Sequence, residues 1–370
     1  MNHAIPADRL ISSAALARFH PGCAAMDACR CSSRCAGSQA GPDELDHAPR
    51  LHPGSDLAAY CHALHLQQRA TWPLAAAGYR ALDSTEVRSC ELNGLEIRLQ
   101  LNPARLASST ATADSAAVRA RPCFLCIGNL PAGQQALAYG DRYLILVNPY
   151  PVAPEHFTVP AVDHVPQRIG DSIADLLSLC RDLAPRYTVL YNGPQCGASV
   201  PEHQHFQAVP AGYLPLDRIF SHERDRRGMP WGERRGVRYT GLEHLPCPCV
   251  ALEAETAAPL QESLRHLLEH LKNLVPGPGE PMVNIIGRYQ QGWRLLVIPR
   301  SRHRPSSYLD ADGNGILLSP GTADVSGLCV VPRWEDFHRL QRAHLQRVFE
   351  EVCLPAASLR LLRDRLGAPA

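Results

Sequence analysis

The sequence predicts an α+β protein of antiparallel sheets with helices packed on them, arranged as two similar halves. Three observations carry this reading. Strand-like segments follow one another as hairpins and meanders instead of alternating singly with helices. Stretches of helical period, such as Leu260, Leu264, Leu267, Leu268, Leu271 and Leu274, sit between those strand groups. Pro160 and His164, four apart after an apolar strand, recur in the second half as Pro299 and His303.

Composition limits what the chain does. With 370 residues there is room for a full core in each half. The 37 basic residues balance 36 acidic ones, which argues against a nucleic-acid or membrane-surface binder that would need a cationic excess. Arginine supplies nearly all the positive charge, Lys272 being the single lysine. No apolar run reaches 18 residues, so no transmembrane helix is expected. A charged segment leading into an apolar core is missing at the start, so no secretory signal is read and a cytoplasmic protein is expected. The 14 cysteines cluster unevenly, which in such a protein favours metal ligation or free thiols over a disulfide framework.

Residues 1–52 are rich in Ala, Cys, Ser and Pro without a sustained period and read as a poorly ordered tail containing Cys29, Cys31 and Cys35. The first half is expected over 53–215 and the second over 216–370. A helix is expected from Leu57 to Gln68, before Trp72-Pro73. Val87–Leu92 and Leu95–Leu101 flank Asn93-Gly94, the pair that suits a type I′ hairpin turn. An Ala/Ser/Thr loop, 106–120, leads to Cys123-x-x-Cys126. Strands are expected at 143–147 and 156–159, a helix through Ile173, Leu176, Leu177 and Cys180, and a strand at 187–191. In the second half, 282–286 and 293–298 read as a hairpin, and Phe337 to Val352 as one last helix before an Arg/Leu-rich end.

The chemistry concentrates in Gly197-Ala-Ser199-Val-Pro-Glu-His203-Gln-His205-Phe-Gln207. A strand period of two puts His203, His205 and Gln207 on one face, a costly surface to bury without a use. Gly197 and Ser199 offer backbone N–H groups and a hydroxyl for phosphate oxygens, and Asn192 opens the same loop. Cys123 and Cys126 could chelate a soft divalent ion, with His164 and His203 the best candidates to complete a tetrahedral set. Four protein ligands would make that site structural. Arg98, Arg105, Arg300, Arg302 and Arg304 are the cations expected near phosphate, whereas His156 reads as a structural histidine.

Together, Cys123-Phe-Leu-Cys126-Ile-Gly-Asn129, Pro154-Glu-His156-Phe-Thr-Val-Pro160 with His164, and Ser199…His203-Gln-His205-Phe-Gln207 resemble the galactose-1-phosphate uridylyltransferase branch of the histidine triad superfamily. That branch includes nucleoside-diphosphate-hexose phosphorylases and diadenosine tetraphosphate phosphorylases. The resemblance covers residues 85–215 well and 280–335 more loosely. It implies a duplicated histidine-triad-like fold with one catalytic copy, since the second half has no H-x-H-x-Q. It also implies zinc held by Cys123, Cys126, His164 and His203, His205 as nucleophile, Gln207 on the phosphoryl group and Ser199 on a phosphate oxygen. The spacing from Ser199 to His205 is one residue longer than in the uridylyltransferases, through a bulge at Glu202 or a displaced Ser199.

The function so implied is nucleotidyl transfer from a nucleoside diphosphate sugar or dinucleotide polyphosphate, through a nucleotidyl-histidine on His205, to phosphate or a sugar phosphate. Guanine donors are favoured by the likeness of His-Gln-His-Phe-Gln to the GDP-hexose phosphorylases. A hydrolase using the same His205 and a non-catalytic zinc-stabilised binding protein are the alternatives. A monomer or a homodimer is expected, without a nucleic-acid or membrane partner.

Overall fold

The computed structural model describes residues 11–12, 56–110, 121–222, 228–277, 279–308 and 315–367. The cysteines of the tail and most of the loop before Arg121 lie outside these residues. In chain order the first eight strands are β1 (Ile11–Ser12), β2 (Val87–Leu92), β3 (Leu95–Leu101), β4 (Gln135–Tyr139), β5 (Tyr143–Val147), β6 (Phe157–Pro160), β7 (Tyr187–Asn192) and β8 (His205–Pro210). The others are β9 (Met229–Arg234), β10 (Val237–Leu242), β11 (Cys249–Ala254), β12 (Val283–Tyr289), β13 (Trp293–Pro299) and β14 (Leu328–Val331). Helices are α1 (Leu57–Thr71), α2 (Pro73–Asp83), α3 (Leu106–Ser109), α4 (Ile173–Asp182), α5 (Pro215–His222), α6 (Ala257–Leu274), α7 (Thr322–Val325), α8 (Trp334–Arg339), α9 (Arg342–Val352) and α10 (Ala356–Leu366).

Eleven strands form one antiparallel sheet in the order β1-β4-β5-β6-β8-β7-β12-β13-β11-β10-β9. The two halves therefore share a sheet, joined where Asn192 of β7 pairs with Asn284 of β12 and Leu190 with Ile286. Strand alternation sorts the side chains. Val189, Tyr191, Phe206, Ala208 and Ile285 point to a core closed by α1, α2, α4, α6 and α10, through Leu64, Tyr79, Leu176, Leu264 and Leu362. Leu190, Val209, Ile286, Leu296 and Ile298 point to the opposite core. There a three-stranded sheet, β14-β3-β2, packs with α8 and α9 through Leu99, Val331, Phe337 and Leu345. The α+β class and antiparallel architecture are those read from the sequence.

Local chemistry explains the elements that were predicted. Asp56 caps α1 by accepting the Ala59 N–H at 2.9 Å. Asn93 and Gly94 take φ of 48° and 83°, the left-handed pair a two-residue hairpin loop requires, and β2 and β3 pair in register up to Leu92 and Leu95.

The differences also have physical reasons. The single helix expected over 337–352 is two, α8 and α9. Leu340 is extended and buried between them, and Arg88 donates to the carbonyls of Phe337 and Leu340, satisfying groups a continuous helix would have used. The Arg/Leu-rich end is α10, with Leu359, Leu362 and Leu366 inward. Strand β11 escaped notice because all six of its residues are buried, which removes alternation from its sequence.

One half-buried acid makes stability depend on pH. Glu280 accepts from the Ile169 N–H at 2.7 Å and from the Tyr191 hydroxyl. Burial raises its pKa from the ordinary 4.5 to about 7 in spite of those bonds. Between those values the folded chain holds a proton that the unfolded chain has released. The stabilisation is complete below 4.5 and is lost as pH rises through about 7. In thermal unfolding, Glu280→Gln is therefore expected to shrink the fall in Tm between pH 5 and pH 8 relative to the parent protein.

Candidate functional site

The histidine stretch is not one strand. Strand β8 begins at His205, and His203 precedes it in a turn whose N–H donates to the Val200 carbonyl at 3.2 Å. The expectation that His203, His205 and Gln207 line one strand face is thus corrected. Pro201 and Glu202 turn the chain, so the His203 ring leaves that face and meets the cysteine pair.

Cys123, Cys126, His164 and His203 come together with their ligand atoms all within 4.8 Å of one another. His203 Nδ1 lies 3.4 Å from Cys123 Sγ and 3.8 Å from Cys126 Sγ, and His164 Nδ1 lies 3.1 Å from Cys126 Sγ. Tetrahedral zinc with ordinary Zn–S and Zn–N bonds sets S···N edges of about 3.5 Å, so the donor set fits a metal ion in type and in size. The Cys123 thiol is drawn down to about 2, chiefly by its hydrogen bond with Cys126 and then by the two imidazoles, as suits a thiolate ligand. The other nitrogen of His203, Nε2, donates to the Ala161 carbonyl at 2.7 Å, which leaves Nδ1 unprotonated toward the cluster. All four side chains named from the sequence are brought together here.

His205 stands two residues on, 3% exposed. Its Nδ1 donates to the His203 carbonyl at 2.8 Å, so the lone pair belongs to Nε2. Burial lowers its pKa from 6.5 to about 4, leaving a neutral imidazole at pH 7. Gln167 clamps the backbone: its Oε1 accepts the His205 N–H at 2.7 Å, and its Nε2 donates to the carbonyls of His205 at 3.0 Å and Asn192 at 2.9 Å.

A cavity opens beside His205 over the sheet face that carries Gln207, and His205 itself does not line that cavity. Gln207, Asn192, Gly197, Ser199, His156 and Arg105 line it from the first half. His303, Arg304, Ser319, Gly321, Thr322 and Asp324 line it from the second. Two amides are oriented by their neighbours. The Val152 N–H donates to His156 Nδ1 at 3.3 Å, so His156 Nε2 carries the proton and donates to Gln207 Oε1 at 2.9 Å. Asn192 Oδ1 accepts from Asn284 Nδ2 at 3.1 Å and from the Thr322 N–H at 2.7 Å. Both side chains are left with their NH2 ends for a ligand, a donor set suited to phosphate oxygens. Gly197, at φ 92°, must be glycine: a Cβ there would stand 2.4 Å from Gly321 Cα.

The arginines divide. Arg105 reaches the cavity and donates to the Tyr150 carbonyl at 3.0 Å. Arg304 also lines it, lying over the Tyr308 ring at 4.1 Å with Nε donating to Ser319 Oγ at 2.9 Å. Arg98 and Arg300, expected near phosphate, do not line the cavity. Arg98 stacks on Tyr213 and donates to its carbonyl. Arg300 is 1% exposed, its guanidinium bound to Asn284 Oδ1 at 2.7 Å and to the carbonyls of Pro320, Arg302, His303 and Val352. It holds the wall from behind. Arg302 pairs outward with Glu351.

Sequence reasoning missed Gln167, Thr322 and Asp324, and read His156 as merely structural. Gly321-Thr-Ala-Asp324 does carry a helix-start signature, and the Asp324 carboxylate accepts the Gly321 N–H at 2.8 Å. Nothing in the sequence places that turn opposite Asn192.

Comparison with known proteins agrees with this architecture. A family model described as a domain of unknown function, DUF4922, matches residues 64–210, less than half of the chain. None of the curated proteins matches the sequence. The crystal structure of yeast Ap4A phosphorylase Apa2 superposes with a TM-score of 0.52 at 17% identity, over 81% of this chain and 94% of that one. Its complex with Ap4A gives 0.53 at 15% identity, over 80% and 98%. The chain shares the fold of these two phosphorylase structures. Among the described residues, no helix is long and apolar enough to cross a membrane.

Proposed function

We propose that the chain is a nucleotidyltransferase of phosphorylase type, acting on a nucleoside diphosphate sugar or a dinucleotide polyphosphate. The observation that carries the reading is the His205 imidazole, neutral and fixed through Nδ1 on the His203 carbonyl, with Gln207 two residues on in the polar cavity. His205 Nε2 attacks the α-phosphorus, a P–N bond forms, and the P–O bond to the leaving phosphate group breaks. The leaving group departs as a sugar phosphate or nucleotide. Phosphate or a sugar phosphate then attacks the same phosphorus, breaks the P–N bond and returns the lone pair to Nε2.

The NH2 groups of Gln207 and Asn192, the Ser199 hydroxyl and Gly197 would hold the non-bridging oxygens, with Arg105 balancing the phosphate charge. Gln207 offers no acid to water, which favours a phosphorylated acceptor. The shared fold with an enzyme named for phosphorolysis of Ap4A supports a nucleotide donor. We assign zinc to the Cys123, Cys126, His164 and His203 cluster. There it would fix the turn that carries the carbonyl on which His205 rests, a structural contribution.

Intact-mass spectrometry after incubation with GDP-, UDP- and ADP-sugars and Ap4A, without phosphate, tests this. A gain of one nucleoside monophosphate, absent in His205→Ala and discharged by phosphate or a sugar phosphate, is expected. Product formation that proceeds equally without phosphate would make the protein a hydrolase. Absence of both adduct and product with every donor would leave a binding protein.

A further inference from the structure

Glu202, in the turn before His205, has a partner, and that partner also holds Ser199. Glu202 forms an ion pair with Arg121, Nη2 to Oε1 at 3.2 Å. The same Nη2 donates to the Ser199 carbonyl at 2.7 Å. One guanidinium nitrogen thus grips both ends of the Ser199–Glu202 segment. Arg121 itself is anchored two residues before Cys123, with its guanidinium 5.4 Å from the Phe124 ring. The knuckle beneath it is tied down by Asn129 Nδ2, which donates to the Cys123 carbonyl at 2.8 Å. Both charged side chains are largely shielded, 28% and 17% exposed, so the pair is less screened than a surface one. Ser199 lines the cavity.

We infer that Arg121 is a positioning residue for Ser199. It holds Glu202 aside and fixes the Ser199 backbone to the cysteine knuckle, so that the hydroxyl meets a phosphate oxygen of the donor. Arg121 touches no substrate. Its effect passes entirely through Ser199, and Glu202 contributes by steadying the guanidinium. The inference rests on the proposed nucleotidyl transfer, which the adduct experiment on the parent protein tests independently of any of these residues.

A double-mutant cycle decides it. Adduct formation in a single turnover is measured for Ser199→Ala, Arg121→Ala and the pair, with bound metal and Tm recorded for each. Losing a hydrogen bond to a charged group lowers the rate roughly ten- to hundredfold, and Arg121→Ala is expected to approach the Ser199→Ala loss. The double variant should be no slower than Ser199→Ala, a non-additivity that a purely structural role would not produce. Glu202→Ala is expected to give a smaller loss that Glu202→Gln restores. It serves as the second route should Arg121→Ala lose metal or fold poorly.

Losses that multiply in the double variant would overturn the inference, as would an Arg121→Ala protein of full rate. A silent Ser199→Ala would overturn it too, while the parent protein's adduct would still stand for the transfer reaction.

Discussion

Alanine at position 205 is expected to lower turnover of a competent donor by at least about ten-thousandfold, the scale seen when a nucleophile is removed from a preorganised site. The fold should survive. The ring makes one side-chain hydrogen bond, to the His203 carbonyl, and the backbone clamp by Gln167 does not depend on the side chain. Truncating a buried ring of this size costs about 2–5 kcal/mol, a noticeable but tolerable part of the stability of a 370-residue chain. Steady-state rates beside thermal unfolding curves separate the two effects. A folded variant that kept even one hundredth of the parent rate would remove His205 from the nucleophile's role.

The second large effect concerns the cysteine cluster. Elemental analysis of the purified protein is expected to give one zinc per chain, and Cys126→Ser is expected to lose it. Cys126 Sγ lies within 3.8 Å of both ring nitrogens, so its loss opens the set on two edges at once. Structural zinc sites bind with apparent free energies of about 10 kcal/mol. Losing even half of that should lower Tm by about 10 °C or more. Chelation of the parent protein should reproduce the shift, and zinc should reverse it. A metal-free protein as stable as the parent would show that the four side chains form a hydrogen-bonded cluster and nothing more.

Much of this site was legible in the sequence because its parts are local. Cys-x-x-Cys fixes two ligands by spacing, and His203, His205 and Gln207 fall within one short segment. The hairpin at Asn93-Gly94 was legible for the same reason, since φ requirements act within two residues. What escaped depended on distance along the chain. Thr322 reaches Asn192 across 130 positions, and no local pattern announces that meeting. Arg300 and Arg304 are four apart and alike in chemistry. Yet one faces a buried ring of carbonyls and the other a cavity, a difference set by packing and not by residue type. His203 was assigned to a strand because alternation allowed it, whereas Pro201-Glu202 turned the chain first. In β11 burial on both faces erased the very alternation by which strands are recognised.

The seam between β7 and β12 also sets an order of events during synthesis. His205, the four side chains of the cysteine–histidine cluster and the glycine loop are all translated by residue 207. The opposite wall, from His303 to Asp324, arrives about a hundred residues later, and Asn284 and Thr322 tie it to Asn192. Such long-range closure bears a loop-entropy cost and comes late in folding. A nascent or truncated chain would therefore carry His205 and the glycine loop without the far wall of the cavity. For the proposed reaction, a complete site would arrive only with the last third of the polypeptide.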